Sequence, residues 1–225
     1  MYNTITRSVA SFMHKVYAWM ALGLAITAVT AYGVYSTPEL FRAIVMNRFV
    51  FIGLLLAQLG LVFYISSAFQ KLSYATNVLL FSLYSGLLGV TLSVIFAVYH
   101  IGSIYQIFAI TVVMFGFMAV YGYYTKSDLT SVGQIMFMGL IGIIIAGIVN
   151  MFLRSPMMNY AISFIGILVF TGLTAYDVQR IKLLGSELLN SGEEERKIAL
   201  VCALSLYLDF INLFLHLLNF LGKKK

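Results

Sequence analysis

The sequence predicts an all-α integral membrane protein, a seven-helix bundle with its C-terminal helix central. Three observations carry that expectation. Of the 225 residues, 61% are hydrophobic and only 10% charged, where a soluble domain carries roughly 45–50% and about 25%. The apolar residues gather in seven runs, each near the roughly 20 residues that cross a bilayer as a helix. The last run holds an acid near its middle, Asp209, on a polar stripe.

The seven runs are Val16–Tyr35, Phe49–Phe69, Thr76–Tyr99, Ile104–Tyr123, Val132–Leu153, Met158–Tyr176 (continuing toward Leu184) and Ile198–Leu221. Each is too long for a barrel strand of about 10 alternating residues. A helix satisfies its backbone polar groups within one segment, so it suits hydrocarbon. The first run follows Arg7, His14 and Lys15 without a small-x-small cleavage site near its end, which reads as a retained helix rather than a removed signal. In the third, Ser85, Gly89 and Ser93 recur every four residues beside Ser82 and Gly86, and in the fifth, Gly139, Ile143 and Gly147 do so beside Gly142 and Ala146. Small residues let backbones approach, which is what holds helices together in lipid. The connectors are short, so residues 1–225 read as a single polytopic domain, and Gly185–Lys197, with Glu193, Glu194 and Glu195, reads as a solvated loop.

The net charge of +6 comes from bases at segment ends and in the tail Lys223–Lys225. That placement points to lipid headgroups and away from nucleic acid. With seven crossings, the side holding the N-terminus carries eight Lys and Arg against six; if the last segment dips in and returns, the balance is 11 against 3. Both counts favour a cytoplasmic N-terminus. The single cysteine, Cys202, excludes an intrachain disulfide and a cysteine metal site. His14, His100 and His216 lack metal-ligand spacing, and no phosphate loop, nucleophile elbow or dinucleotide fingerprint is present. No tightly bound cofactor is expected.

The chemistry concentrates on two acids. Asp209 lies far from either end of its run, where an acid costs about 2.5–3.5 kcal/mol to insert. Cys202, Ser205, Asp209, Asn212, His216 and Asn219 follow at spacings of 3, 4, 3, 4 and 3, forming one stripe. Such a stripe belongs in a bundle interior or a wet cavity, which is why the last helix reads as central. Asp177 closes a strip with Thr171 and Thr174 at the end of the sixth run, and Arg180 stands three residues on, able to pair with it. Two carboxylates facing each other in a poorly solvated site cannot both ionise cheaply, so they titrate as a unit. Protonated, the pair joins two helices. Deprotonated, it repels itself and offers oxygen ligands to a hard cation such as calcium. Asp177 and Asp209 are the candidate proton sensor, gate and transient calcium ligands, with Arg180, Ser205, Asn212 and His216 as candidate support. His216 reads either as a proton relay or as a structural hydrogen-bonding group.

Gly172-Leu-Thr-Ala-Tyr-Asp177-Val-Gln and Ala203-Leu-Ser-Leu-Tyr-Leu-Asp209-Phe-Ile-Asn-Leu-Phe214 resemble the two signature stretches of the Bax inhibitor family. Tyr121-Gly-Tyr-Tyr-Thr-Lys-Ser-Asp-Leu129 and Tyr17-Ala-Trp-Met-Ala-Leu-Gly23 resemble its other motifs, and the short tails resemble its bacterial members. The resemblance implies a seven-helix fold with the last helix inside the other six. It also implies a pH-sensitive calcium leak in the bacterial inner membrane, sensed by Asp177 and Asp209. One departure stands out: where some relatives carry an acid within the second helix and bases near its end, this chain has Gln58 and Ser66-Ser67.

Two other function classes follow from the same residues. A bundle with little mass outside the membrane suits lateral binding, and some bacterial relatives modulate a membrane-bound protease, which makes a membrane protein a candidate partner. An intramembrane aspartyl protease also shares one proton between two acids. That reading wants Gly-x-Gly before the second acid, and Tyr207 and Leu208 stand there instead, so no enzymatic activity is expected.

Overall fold

The computed structural model describes residues 2–187 and 192–225, with side chains from residue 9 onward. The Arg7 side chain, counted in the charge balance, and residues 188–191 of the polar connector lie outside the described residues. Among the described residues there are nine helices and no strand. They are α1 (Tyr2–Tyr35), α2 (Pro38–Ile44), α3 (Arg48–Ala68), α4 (Tyr74–Leu92), α5 (Val94–Val98), α6 (Ile101–Tyr124), α7 (Thr130–Leu153), α8 (Pro156–Glu187) and α9 (Glu193–Leu221). Seven segments are long and apolar enough to span, α4 and α5 together making one of them. The last is the most deeply packed: 67% of its most apolar stretch is buried, against none for α7.

Three differences from the sequence reading have local causes. The third run is interrupted at Ser93, whose side chain donates to the Val90 carbonyl at 2.7 Å and competes with the helix for it. The polar connector is shorter than expected, because α8 runs on to Glu187 and Glu193, Glu194 and Glu195 form the first turn of α9 rather than a loop. Acids there meet the positive end of the helix dipole. Between the first two spans, Pro38 opens the short α2, where a proline costs no hydrogen bond. The α7–α8 reversal needs only two residues: Arg154 takes φ 51° as a left-handed cap and Pro156 begins the next helix.

The chain forms two compact units. The first comprises Met1–Tyr99, Gly185–Tyr207 and Lys225. Its centre is the contact of α1 with α4. Gly89 lies against the Thr27 backbone and Gly23 lies under the Phe81 ring, so added methyl groups would collide. Thr27 Oγ1 donates to the Ser85 carbonyl (3.0 Å) and meets the Tyr207 hydroxyl (2.6 Å), tying the middle of α9 to both helices. Ser85, Gly89 and Ser93 are therefore a contact face as expected, while Gly86 has open space around it. Gln58 is buried and donates to Thr91 Oγ1 and the Leu87 carbonyl, joining α3 to α4 with neutral groups.

Within this unit the start of α9 and the last residue of the chain are both held. Glu193 accepts from Tyr74 N at the start of α4, and Lys15 pairs with Glu195 at 2.7 Å. Beyond the helix, Lys225 N donates to the Val98 carbonyl and its Nζ to that of Phe96, at the far end of α5. The 29 residues of α9 extend about 44 Å, more than the roughly 30 Å of a hydrocarbon core.

The second unit comprises His100–Leu184 and Leu208–Lys224. Here α8 is approached closely on several sides by way of glycine. Gly122 of α6 rests on the Ala175 backbone, Gly133 of α7 on the Tyr176 ring, and Gly139 of α7 on Val169; Gly172 of α8 meets Met136. Of the fifth run's expected face, Gly139 and Ile143 are packed, but Gly142 and Gly147 meet nothing within 4 Å. Periodicity alone could not tell which side of α7 meets protein, since that helix is apolar all round. The expected outcome is that Gly122→Ala lowers the thermal unfolding midpoint in detergent, because its Cβ would meet backbone that cannot move aside, at a cost of about 1–3 kcal/mol. Gly147→Ala should leave the midpoint unchanged or higher. Equal behaviour of the two variants would contradict this packing.

Candidate functional site

The site lies on the seam where α8 and the second half of α9 run antiparallel in one unit. Going along it from the Asp177 end, three levels follow. Asp177 faces Asp209, Phe170 faces His216, and Asn159 and Ser163 face Asn219. On α8 the spacing is 4, 3, 4, 4 and 3 through Asn159, Ser163, Gly166, Phe170, Thr174 and Asp177, one helix face throughout.

At the first level the Asp177 and Asp209 carboxyls lie close enough to act directly on each other. Carboxylates are acceptors only, so a hydrogen bond between the two requires one of them to be protonated. Asp209 is buried, at 6% exposure, and Asp177 half-buried. The second oxygen of Asp209, Oδ2, is buried without a hydrogen-bonding partner. The arrangement can hold one proton, release it, and then present two like charges.

The structure brings together some of the expected supporting residues and separates others. Arg180 is exposed one turn beyond Asp177, near enough for its charge to act on that carboxyl. It makes no ion pair with it; among the described residues the ion pairs are Lys15–Glu195 and Lys197–Glu193. A solvated guanidinium gains little from closing such a pair. Cys202 and Ser205 lie on the part of α9 belonging to the first unit, whereas Asn212, His216 and Asn219 share the second unit with Asp209. Asn212 donates back to the Leu208 carbonyl at 2.8 Å, within its own helix. Thr171 and Thr174 do the same with Ile167 and Phe170. The His216 ring stacks on Phe170 with centroids 5.6 Å apart and fills the space left by Gly166. Among the described residues no group of three or more His, Cys, Asp and Glu gathers, so two carboxyls are the acid donors here.

Several contributors were not singled out by sequence reasoning. Gln179, two residues past Asp177, accepts from Leu129 N (2.9 Å) and donates to the Ser127 carbonyl (2.8 Å), tying the α6–α7 turn to α8. Lys182 donates to the Tyr123 carbonyl at 2.7 Å and sits over its ring at 4.9 Å. In the same turn Asp128 accepts from the hydroxyl and backbone N–H of Thr130, which hold its carboxyl below the ordinary range. At the third level Asn219 Nδ2 donates to Ser163 Oγ (2.6 Å), Asn159 Nδ2 donates to Asn219 Oδ1 (3.2 Å), and Ser163 Oγ donates to the Asn159 carbonyl (2.9 Å). The polar spacing on α8 could have revealed the third level. Nothing in the sequence pairs Gln179 with residues about 50 positions earlier.

The family described as Inhibitor of apoptosis-promoting Bax1 matches residues 9–225. The chain is similar over nearly its whole length to an uncharacterized protein of Borreliella burgdorferi, with 49% identity covering 95% of this chain and 92% of that one. It is similar to the Inner membrane protein YbhL of Escherichia coli strain K12, with 45% identity over 96% and 92%. It also matches the uncharacterized protein RP147 of Rickettsia prowazekii, with 40% identity over 99% and 94%.

The clamp at Gln179 makes its own prediction. Gln179→Leu leaves a backbone donor and acceptor without partners and should cost about 1–2 kcal/mol, read as a lower unfolding midpoint. Gln179→Glu, which keeps only the acceptor, should fall between. A leucine variant as stable as the parent would show that the clamp carries no weight.

Proposed function

This chain belongs to the Bax inhibitor family, and from that membership we propose that it is a passive calcium leak of the bacterial inner membrane, opened and closed by protons. The observation that carries the reading is the juxtaposition of the Asp177 and Asp209 carboxyls on two membrane-spanning helices, with Asp209 buried and its Oδ2 without a hydrogen-bonding partner. Buried ionisable groups are costly in such a setting and mark ion and proton routes. In the protonated state the pair joins α8 to α9. Loss of the proton leaves two negative charges that repel and whose oxygens suit a hard divalent cation. The pair supplies too few ligands to keep calcium, which fits an ion in passage. Arg180, solvated one turn away, tempers the charge on Asp177 without locking it. No bond-making chemistry belongs to this reading, and the N-terminus is cytoplasmic, by the balance of eight bases against six.

The sign of the pH dependence follows. Acid keeps the pair protonated and the seam joined, so flux is low; raising the pH removes the proton and flux rises. In proteoliposomes loaded with a calcium indicator, the parent protein should show flux that climbs with pH. Asp209→Asn and Asp177→Asn put an amide opposite the remaining carboxyl, able to donate to it whether or not it is ionised and never bringing two like charges together, so each should flatten the profile. An Asp209→Asn protein that keeps the parent's pH response would sink the mechanism. A purified parent protein that passes no calcium at any pH would sink the activity.

A further inference from the structure

The Asp pair is only the first of three polar or aromatic levels on its seam, and the leak mechanism leaves the other two without a role. The geometry points to a second closure of the same route: the Asn159–Ser163–Asn219 cluster, with the Phe170–His216 stack between it and the carboxyls, is the exit through which the ion leaves. This inference rests on the leak reading and extends it to the other half of the seam.

Four observations carry it. First, the stripe Asp209, Asn212, His216 and Asn219 continues along one face of α9 to within two residues of the helix end, so polar groups accompany an ion from the carboxyls outward. Second, the facing groups on α8, Asn159 and Ser163, are polar at the same level, and Ser163 is wholly buried. Third, the cluster bridges the seam: the Asn219 amide donates to the Ser163 hydroxyl at 2.6 Å and the Asn159 amide donates to Asn219 Oδ1 at 3.2 Å. Those bonds occupy the Asn219 and Ser163 side-chain oxygens that a passing cation would use, so the cluster must part for an ion to pass. Fourth, Gly166 lets the His216 ring lie against the α8 backbone, where a Cβ would collide with it. The ring and Phe170 therefore plug the seam between two polar levels, and they can swing without breaking a hydrogen bond. Interhelical amide contacts used only as glue need no such alignment with a buried carboxyl pair and no intervening plug.

The test uses the full chain in proteoliposomes. Asn219→Leu replaces the central amide with an apolar side chain of similar size, so calcium flux should fall at least tenfold while the pH midpoint, set by the carboxyls, stays where it is. Ser163→Cys is the conservative probe. Its thiol should react with a small charged methanethiosulfonate under conducting conditions and flux should then fall, measured against the parent, whose one thiol, Cys202, is 7% exposed. Parent-like flux in a folded Asn219→Leu protein overturns the second closure. So does a Ser163→Cys thiol that reacts no faster than Cys202 while flux persists. If the parent itself passes no calcium, the leak reading fails instead, and the two failures are separable.

Discussion

A carboxyl group halfway along an apolar helix has to find its partner inside the protein, and Asp209 finds a second carboxyl. The remainder of the second unit is arranged around that choice. A basic partner would have given a permanent ion pair, stable over the whole physiological pH range and insensitive to it. A hydroxyl or amide could have donated to Asp209 in either protonation state, so that loss of its proton would have set no like charges against each other. Two acids give a bond that exists only while a proton is present. Asp209 Oδ2 is left without a hydrogen bond, and such a group is costly at this depth.

The two acids can meet because α8 admits its neighbours to backbone distance. Gly122 and Ala175 touch main chain to main chain two residues from Asp177, and Gly133 leaves room for the Tyr176 ring beside it. Gln179 then fixes the turn between α6 and α7 to the same stretch of α8. In lipid there is no hydrophobic drive between helices, so close packing and interhelical hydrogen bonds set their positions. Asp177 is thus held from three residues around it by contacts that involve no charge. Asp209 sits on a helix anchored in the first unit two residues earlier, where Tyr207 meets Thr27.

How much of this was legible in the sequence depends on whether the signal was local. Seven spans, the depth of the last helix and the two acids can be read from hydropathy and spacing, because the cost of polar groups in hydrocarbon forces them onto one face. The break at Ser93 and the helical start at Glu193 turn on single side chains that compete for or cap backbone groups, and hydropathy does not register them. The working face of α7 was half legible: Gly139 and Ile143 pack, but an evenly apolar helix gives no moment to show that Gly142 and Gly147 do not. The Asp pair itself was readable as two conspicuous acids. The glycines that bring its helices together were not, since a glycine announces closeness without naming what it is close to.

The energetics along the seam decide which contacts yield. Two unit charges about 4 Å apart repel by about 4 kcal/mol at the effective dielectric of about 20 that suits protein sites. A hydrogen bond between membrane helices is worth roughly 0.6 kcal/mol on average. Removing the proton from the carboxyl pair therefore outweighs the two cross-seam amide bonds at Asn219 taken together. It does not undo the backbone contact of Gly122 with Ala175 or the anchoring of Tyr207, which carry no charge and do not face the carboxyls. In the proposed mechanism the helices would part along the one face where their contacts are polar and weak, and stay packed where they are apolar and close. That division would let a single proton act on the seam without unfolding the bundle.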